Sequence, residues 1–202
     1  MAACSNIIKF MKLLVVDNGT SHLQALSALL ASHEVKVVPW KKFSEKKIAS
    51  IDAIILSGGH SLPVIDHDRE YGNELNVIRR STLPIIGICL GYELIAHAYG
   101  AVLRRLEAKE KGFVQLKVVR PHQILLGVAE ANVYESHRWV VERVTKPLIG
   151  LVASKDGYEI IVHESKPIFG FQFHPEMFQD VTVGDEIMKN CLALIQEERL
   201  IG

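Results

Sequence analysis

Short apolar runs alternate with amphipathic stretches through the first half of the chain. Lys12 to Asp17 (Lys-Leu-Leu-Val-Val-Asp) predicts a buried strand, ended by the turn Asn18-Gly19. Ser21 to Ser32 predicts a helix with Leu23, Leu26, Leu29 and Leu30 on one face. Glu34 to Pro39 and Ile51 to Leu56 predict the second and third strands, the latter running into Ser57-Gly58-Gly59-His60. Tyr71 to Arg80 predicts a second helix. Pro84 to Ile88 is a short apolar run bounded by Pro and Gly, which predicts a fourth buried strand. Leu90 to Tyr99 places Leu94, Ile95 and Ala98 at helical spacing, with Gly100 where such a helix would end. Strands alternating with helices predict a parallel sheet with right-handed crossovers.

The pattern changes after Gly100. Phe113 to Val119, Ala131 to Glu135, Trp139 to Val144, Leu148 to Ser154, Tyr158 to His163 and Ile168 to Phe173 are short β-rich segments with little helix between them. They predict antiparallel strands, some extending the parallel sheet and some forming a smaller second sheet. Thr182 predicts the start of a last helix, with Asp185 as the acidic partner of a capping box and Ile187, Cys191, Leu194 and Ile195 on the apolar face. The expected fold class is α/β: an open, mostly parallel sheet flanked by helices, plus a small antiparallel element. Residues 1–11 are expected to be a short extension and residues 12–202 one domain.

Composition narrows the function classes. The 23 basic and 23 acidic residues cancel, so no basic surplus argues for nucleic acid. No apolar run approaches the roughly 18 residues of a membrane span, and the first ten residues do not read as a signal peptide. The three cysteines (Cys4, Cys89 and Cys191) are odd in number and lack metal-like spacing, which suits a reducing cytosol and predicts a cytoplasmic protein. Cys191 is expected in the core. No P-loop pattern occurs, so no nucleotide chemistry is expected in this chain. Asp66-His67-Asp68 reads as helix-capping residues, and neither a metal set nor a cofactor is expected. Of the nine histidines, His22, His33, His67, His97, His122 and His163 read as surface or structural, and Lys41-Lys42 and Lys46-Lys47 as a solvated face.

Gly87-Ile88-Cys89-Leu90-Gly91 is the cysteine form of the nucleophile elbow, G-x-C-x-G, placed between a predicted strand and a predicted helix. Glycines let the backbone turn tightly. The turn pushes the side chain out at the carboxyl end of the strand, where open α/β sheets place their sites. A helix N-terminus there favours a thiolate. By itself the motif also admits a small buried hydrophobe, the usual role of a free cysteine. Farther on, Phe171-Gln172-Phe173-His174-Pro175-Glu176 ends a strand, with Phe169, Phe171 and Phe173 on one face. A cysteine nucleophile needs a base, and the base needs a group to fix its orientation. His174 and Glu176 can supply both.

These residues carry a resemblance. Ile55-Leu56-Ser57-Gly58-Gly59, the elbow, and Gly170-Phe171-Gln172-Phe173-His174-Pro175-Glu176 resemble the class I glutamine amidotransferases, from about Lys12 to about Leu194. Val15-Val16-Asp17-Asn18-Gly19 and Glu135-Ser136-His137 resemble most the stand-alone glutaminase branch that serves GMP synthase. The resemblance implies a flavodoxin-like α/β fold and a Cys89-His174-Glu176 triad. It implies oxyanion donors at the backbone N–H groups of Gly59 and Leu90, and substrate contacts at Gly58, Gly59, Glu93, Ser136 and His137. Glutamine, or another γ-glutamyl compound, is the implied substrate. A synthetase subunit that activates the acceptor with ATP is the implied partner, and it would receive the ammonia.

Three positions depart from the family pattern. Tyr92-Glu93 stands where a residue followed by Gln is usual, His60 where Pro is usual, and Arg138-Trp139 where an acidic residue is expected. Tyr92-Glu93 and His137-Arg138-Trp139 resemble instead the γ-glutamyl hydrolases, which use the same chemistry at sulfur on a γ-glutamyl peptide or conjugate. A stand-alone hydrolase is therefore the alternative reading. A binding protein that keeps the fold without turnover is a third, against which the complete triad argues.

Overall fold

In the computed structural model, which describes residues 10–60, 62–128 and 131–201, the first half of the chain forms as its periodicity predicts. β1 spans Lys12–Asp17, α1 Leu23–Leu29, β2 Glu34–Pro39, β3 Ala53–Leu56, α2 Gly72–Arg80, β4 Ile85–Ile88 and α3 Leu90–Ala98. The second half contributes β5 (Val102–Val118), β6 (Ala131–Arg143), β7 (Leu148–Ala153), β8 (Tyr158–His163), β9 (Ile168–Phe171) and α4 (Gly184–Ile201). Cys4 and most of the expected extension lie outside the described residues. Met11, at the end of that segment, is already buried in the core.

The strands form one sheet in the order β2-β1-β3-β4-β9-β8-β6-β5-β7. β2, β1, β3, β4 and β9 run parallel to one another, and every pairing beyond β9 is antiparallel. The α/β class holds, but the expectation of a mostly parallel sheet with a small antiparallel element is corrected. β5 and β6 are 17 and 13 residues long, whereas no parallel strand exceeds six, so the sheet is mostly antiparallel by residue. The two predicted segments around Glu135 and Trp139 are one continuous β6. β5 begins eleven residues earlier than Phe113, across Arg104, Arg105, Glu107, Lys109, Glu110 and Lys111. That stretch is charged and largely exposed on both faces, so it shows no period-2 signal.

Alternation along the parallel strands divides the core. Leu13, Val15, Ile55, Ile86 and Ile88 face one side, with Leu26 of α1 and Ile187, Met188, Cys191 and Ile195 of α4. Leu14, Val16, Ile54, Leu56 and Ile85 face the other, with Leu75 and Ile78 of α2 and Leu94 and Ile95 of α3. Cys191 is buried as expected. Thr182 does not form the expected capping box: its hydroxyl donates to the Met177 carbonyl, and Asp185 pairs with Lys189 at 2.6 Å.

The elbow is held by backbone contact. A Cβ on Gly91 would lie 2.2 Å from the Leu56 carbonyl oxygen, and one on Gly87 would lie 2.5 Å from the Gly91 backbone. α3 therefore starts directly against the ends of β3 and β4. Gly91→Ala is expected to cost at least about 2–3 kcal/mol in urea unfolding, because the obstacle is main chain that cannot swing aside. Gly72→Ala, with nothing within 4 Å of the added methyl, is the control and should change stability by less than about 1 kcal/mol.

Candidate active site

Cys89 sits between β4 and α3 with φ +49° and ψ −102°, a conformation an L-residue adopts only when its surroundings impose it. Its N–H donates to the Phe171 carbonyl at 2.8 Å, which ties the elbow to β9. The continuation of β9 carries His174, whose own N–H donates to the Tyr134 carbonyl at 2.9 Å. His174 Nδ1 lies 2.9 Å from Glu176 Oε1, and both side chains are buried. This bond leaves His174 Nε2 as the nitrogen that can exchange a proton with a reacting group. Gly58 lies between His174 and Cys89. A Cβ there would come 3.1 Å from His174 Cε1 and 3.4 Å from Cys89 Cβ. The sequence-predicted triad residues thus converge from two parallel strand ends.

The neighbouring loop is equally constrained. Asn18 is buried; its N–H donates to Ser57 Oγ at 2.9 Å and its Nδ2 donates to the Ser57 carbonyl at 3.1 Å. A Cβ on Gly59 would lie 2.1 Å from the Asn18 carbonyl oxygen, so this position is open only to glycine. These loops follow β1 and β3, the point where strand order reverses in the parallel half. Gly59, Leu90, Glu93, Ser136 and His137 line one cleft of about 380 Å³ with Cys89. Gly58 is not on that cleft; it is buried beneath the Cys89 and His174 side chains. Arg105, Lys109 and Arg138 add positive charge to the cleft wall, and His60, Leu62, Pro63 and Trp139 complete it.

Burial governs the electrostatics here. It pushes the Cys89 thiol well up, with the charges of Glu93 and Glu176 acting in the same direction and the Leu90 N–H opposing them. The Leu90 N–H, at the start of α3, is the local contribution that favours the charged form of the thiol, as a helix N-terminus does. Glu93 is pushed up to about 8 by burial, against the Gln172 side chain, which favours its charged form. A protonated Glu93 can donate one hydrogen bond as well as accept, as an amide can.

Several residues at the site carry no local sequence signal. His22, read as surface or structural, packs edge-on against His174 with ring centroids 5.1 Å apart, and burial followed by His174 lowers its affinity for a proton. Lys109 reaches the cleft because β5 and β6 are longer than their apolar pattern indicates. Tyr92, one of the departures, is not on the cleft: its hydroxyl donates to the Tyr158 carbonyl at 2.5 Å, and its ring fills the space that Gly170 leaves open on β9.

Residues 14–194 match the family model for glutamine amidotransferase class-I. The chain is 32% identical over 200 residues to the glutamine-hydrolysing GMP synthase component of Thermoplasma volcanium, covering 95% of this chain and 96% of that protein. It is 34% identical over 185 residues to the corresponding protein of Methanocaldococcus jannaschii, covering 88% and 94%. Among solved structures it resembles a Thermoplasma acidophilum protein ascribed to the same component of GMP synthase, with a TM-score of 0.84 and 26% identity over 96% of this chain and 98% of that one. These relatives do not favour the γ-glutamyl hydrolase alternative.

The raised affinity of Glu93 for its proton has a consequence for stability. A carboxyl that binds its proton more tightly folded than unfolded stabilises the fold fully below its unfolded value of 4.5, and that stabilisation is lost as pH rises to about 8. Glu74, pushed up to about 7 by burial, acts in the same direction. Stability should therefore fall between about pH 5 and pH 9. In Glu93→Gln, which stays neutral, the fall should be smaller by an amount on the order of a few kcal/mol. Urea unfolding of both proteins across that range checks it; equal losses would show that Glu93 is already ionised at neutral pH.

Proposed function

Because the chain belongs to the class I glutamine amidotransferases, we propose that Cys89, His174 and Glu176 are the triad with which it works. The chain is a glutaminase: it hydrolyses the side-chain amide of glutamine to glutamate and ammonia, and the ammonia passes to GMP synthase. The observation that carries the residue assignment is the elbow cysteine at positive φ facing a buried His174-Glu176 pair.

Substrate glutamine enters the cleft beside Cys89. His174 takes the thiol proton as Sγ attacks the amide carbon, so the buried thiol need not be ionised in advance. Glu176 holds the imidazole and stabilises its charged form. The same proton then passes to the amide nitrogen, ammonia leaves, and a thioester remains on Cys89. Water, deprotonated by His174, releases glutamate and restores the thiol. The N–H of Leu90 is in the first turn of α3, where no helical carbonyl stands behind it. With the N–H of Gly59 it stabilises the oxyanion of each tetrahedral intermediate. Arg105, Lys109 and Arg138 give the cleft the charge that the glutamine carboxylate requires. Protonated Glu93 supplies a donor, while Ser136 and His137 form the facing wall. Among the described residues no helix is long and apolar enough to cross a membrane.

The partner is a separate synthetase that activates the acceptor with ATP and takes up the ammonia. Cys89→Ala should abolish glutamate formation from glutamine, and His174→Ala should lower kcat by at least about 1,000-fold. Glutamate and ammonia assays with and without the synthetase component of a GMP synthase should show turnover that rises with the partner. Fast, partner-independent cleavage of γ-glutamyl dipeptides with glutamine poor would overturn this reading.

A further inference from the structure

β5 and β6 pair with Glu110 opposite His137 and Gly112 opposite Glu135. Opposed residues in an antiparallel pair share a face, as do residues two apart on one strand. Glu110, Glu135 and His137 therefore converge, and one ligating atom from each lies within 4.8 Å of the others. On β8, the next strand beyond β6, the Glu159 carboxyl lies against that of Glu135. Glu135 and Glu159 are both fully buried.

The hydrogen bonds around this cluster leave it short of positive charge. His137 Nδ1 is 2.9 Å from the Trp139 carbonyl, which can only accept, so Nδ1 carries a proton. His137 Nε2 is 3.0 Å from Glu135 Oε2. In the neutral ring two lone pairs would face each other there. Ser154 donates to Glu159 Oε1 at 2.6 Å, but Glu159 Oε2, Glu135 Oε1 and Glu110 Oε2 are buried with no hydrogen-bond partner among the described residues. Within the cluster Lys155 reaches Glu110, at 3.7 Å and from an exposed position, and it pairs more closely with Asp156, at 3.2 Å. Acceptors facing acceptors in a buried place must share a proton or hold a metal cation between them.

We propose that Glu110, Glu135 and His137, backed by Glu159, form a binding site for a divalent cation that accepts mixed imidazole and carboxylate ligands, of the zinc or manganese type. Ligand atoms held about 2.0–2.2 Å from one ion stand roughly 3–4.4 Å apart, close to the observed spread. The Nδ1–H bond to a main-chain carbonyl is the contact that orients a metal-bound imidazole and leaves Nε2 free to ligate. Glu110 also lines an open cleft with Lys155 and Asp156, which gives an ion a way in from solvent. His137 lines the Cys89 cleft as well, so the ion would fix the position of the Ser136–His137 wall. It has no part in bond breaking, and the site does not depend on the reaction assigned to Cys89.

The test is equilibrium dialysis of the full chain, in a Cys89→Ser background, against Zn2+ and Mn2+ separately, with elemental analysis and thermal melts. The expected result is one ion per chain and a raised Tm for at least one of the metals. Glu110→Gln, at a partly exposed position, and Glu135→Gln should each weaken binding by at least about 10-fold. Absence of binding of both metals to folded protein, or affinity unchanged in Glu110→Gln, would overturn the proposal and leave protons as what the cluster holds. If Glu135→Gln fails to fold, Glu110→Gln alone decides.

Discussion

The close approach of Gly91 to the Leu56 carbonyl is the constraint on which the site depends. With no Cβ at Gly91 or Gly87, α3 begins against the ends of two parallel strands. The residue between those glycines must then turn through a conformation that only glycine adopts freely, and here it is Cys89. The surrounding sheet imposes the strain and holds Cys89 fixed at the carboxyl end of β4. The same closeness governs Gly59 against the Asn18 main chain. The elbow and the Gly59 loop are thus set by main-chain contacts, which do not relax as side chains do.

Burial then decides where charge can appear. Cys89, Glu93, Glu176 and His174 lie in space from which water is largely excluded, so any charge there must be met by a fixed partner. For a charge on His174 that partner is Glu176, 2.9 Å from its Nδ1. Farther along β6, Glu135 and His137 follow the same rule in another form, since two buried acceptors that face each other must share a proton or a metal cation.

What was legible in the sequence was local. β1 and β2 follow their apolar runs to the residue, and the elbow and the His-Pro-Glu ending each lie within a few residues of one strand end. What was not legible depends on pairing between distant segments. The charged first part of β5 forms a strand because β6 lies beside it, with a register shift between Arg105 and Glu110. Lys109 comes to the cleft by that route. His22 reaches His174 only because the loop after β1 lies beside the end of β9. The Glu110-Glu135-His137 cluster spans two strands and has no spacing that a linear motif could express. Burial at Cys89 was also beyond the sequence, which showed a helix N-terminus but not how little water reaches it.

The departures from the family pattern sort by position in the fold. Tyr92 faces away from the cleft and packs against β9, so it changes how α3 seats on the sheet and not what the site binds. His60, Glu93, Arg138 and Trp139 all line the cleft. Glu93 in place of an amide conserves shape and, while protonated, conserves a donor; it adds a dependence on pH that glutamine at that position would lack. Arg138 and Trp139 replace acidic character with positive charge and a broad apolar face on the same β6 edge as Ser136 and His137. Their effect therefore falls on what the cleft accepts and what can cover it. Cys89 and His174 are tied instead through their main-chain N–H groups, to Phe171 and Tyr134, and those bonds do not involve the side chains that depart from the pattern.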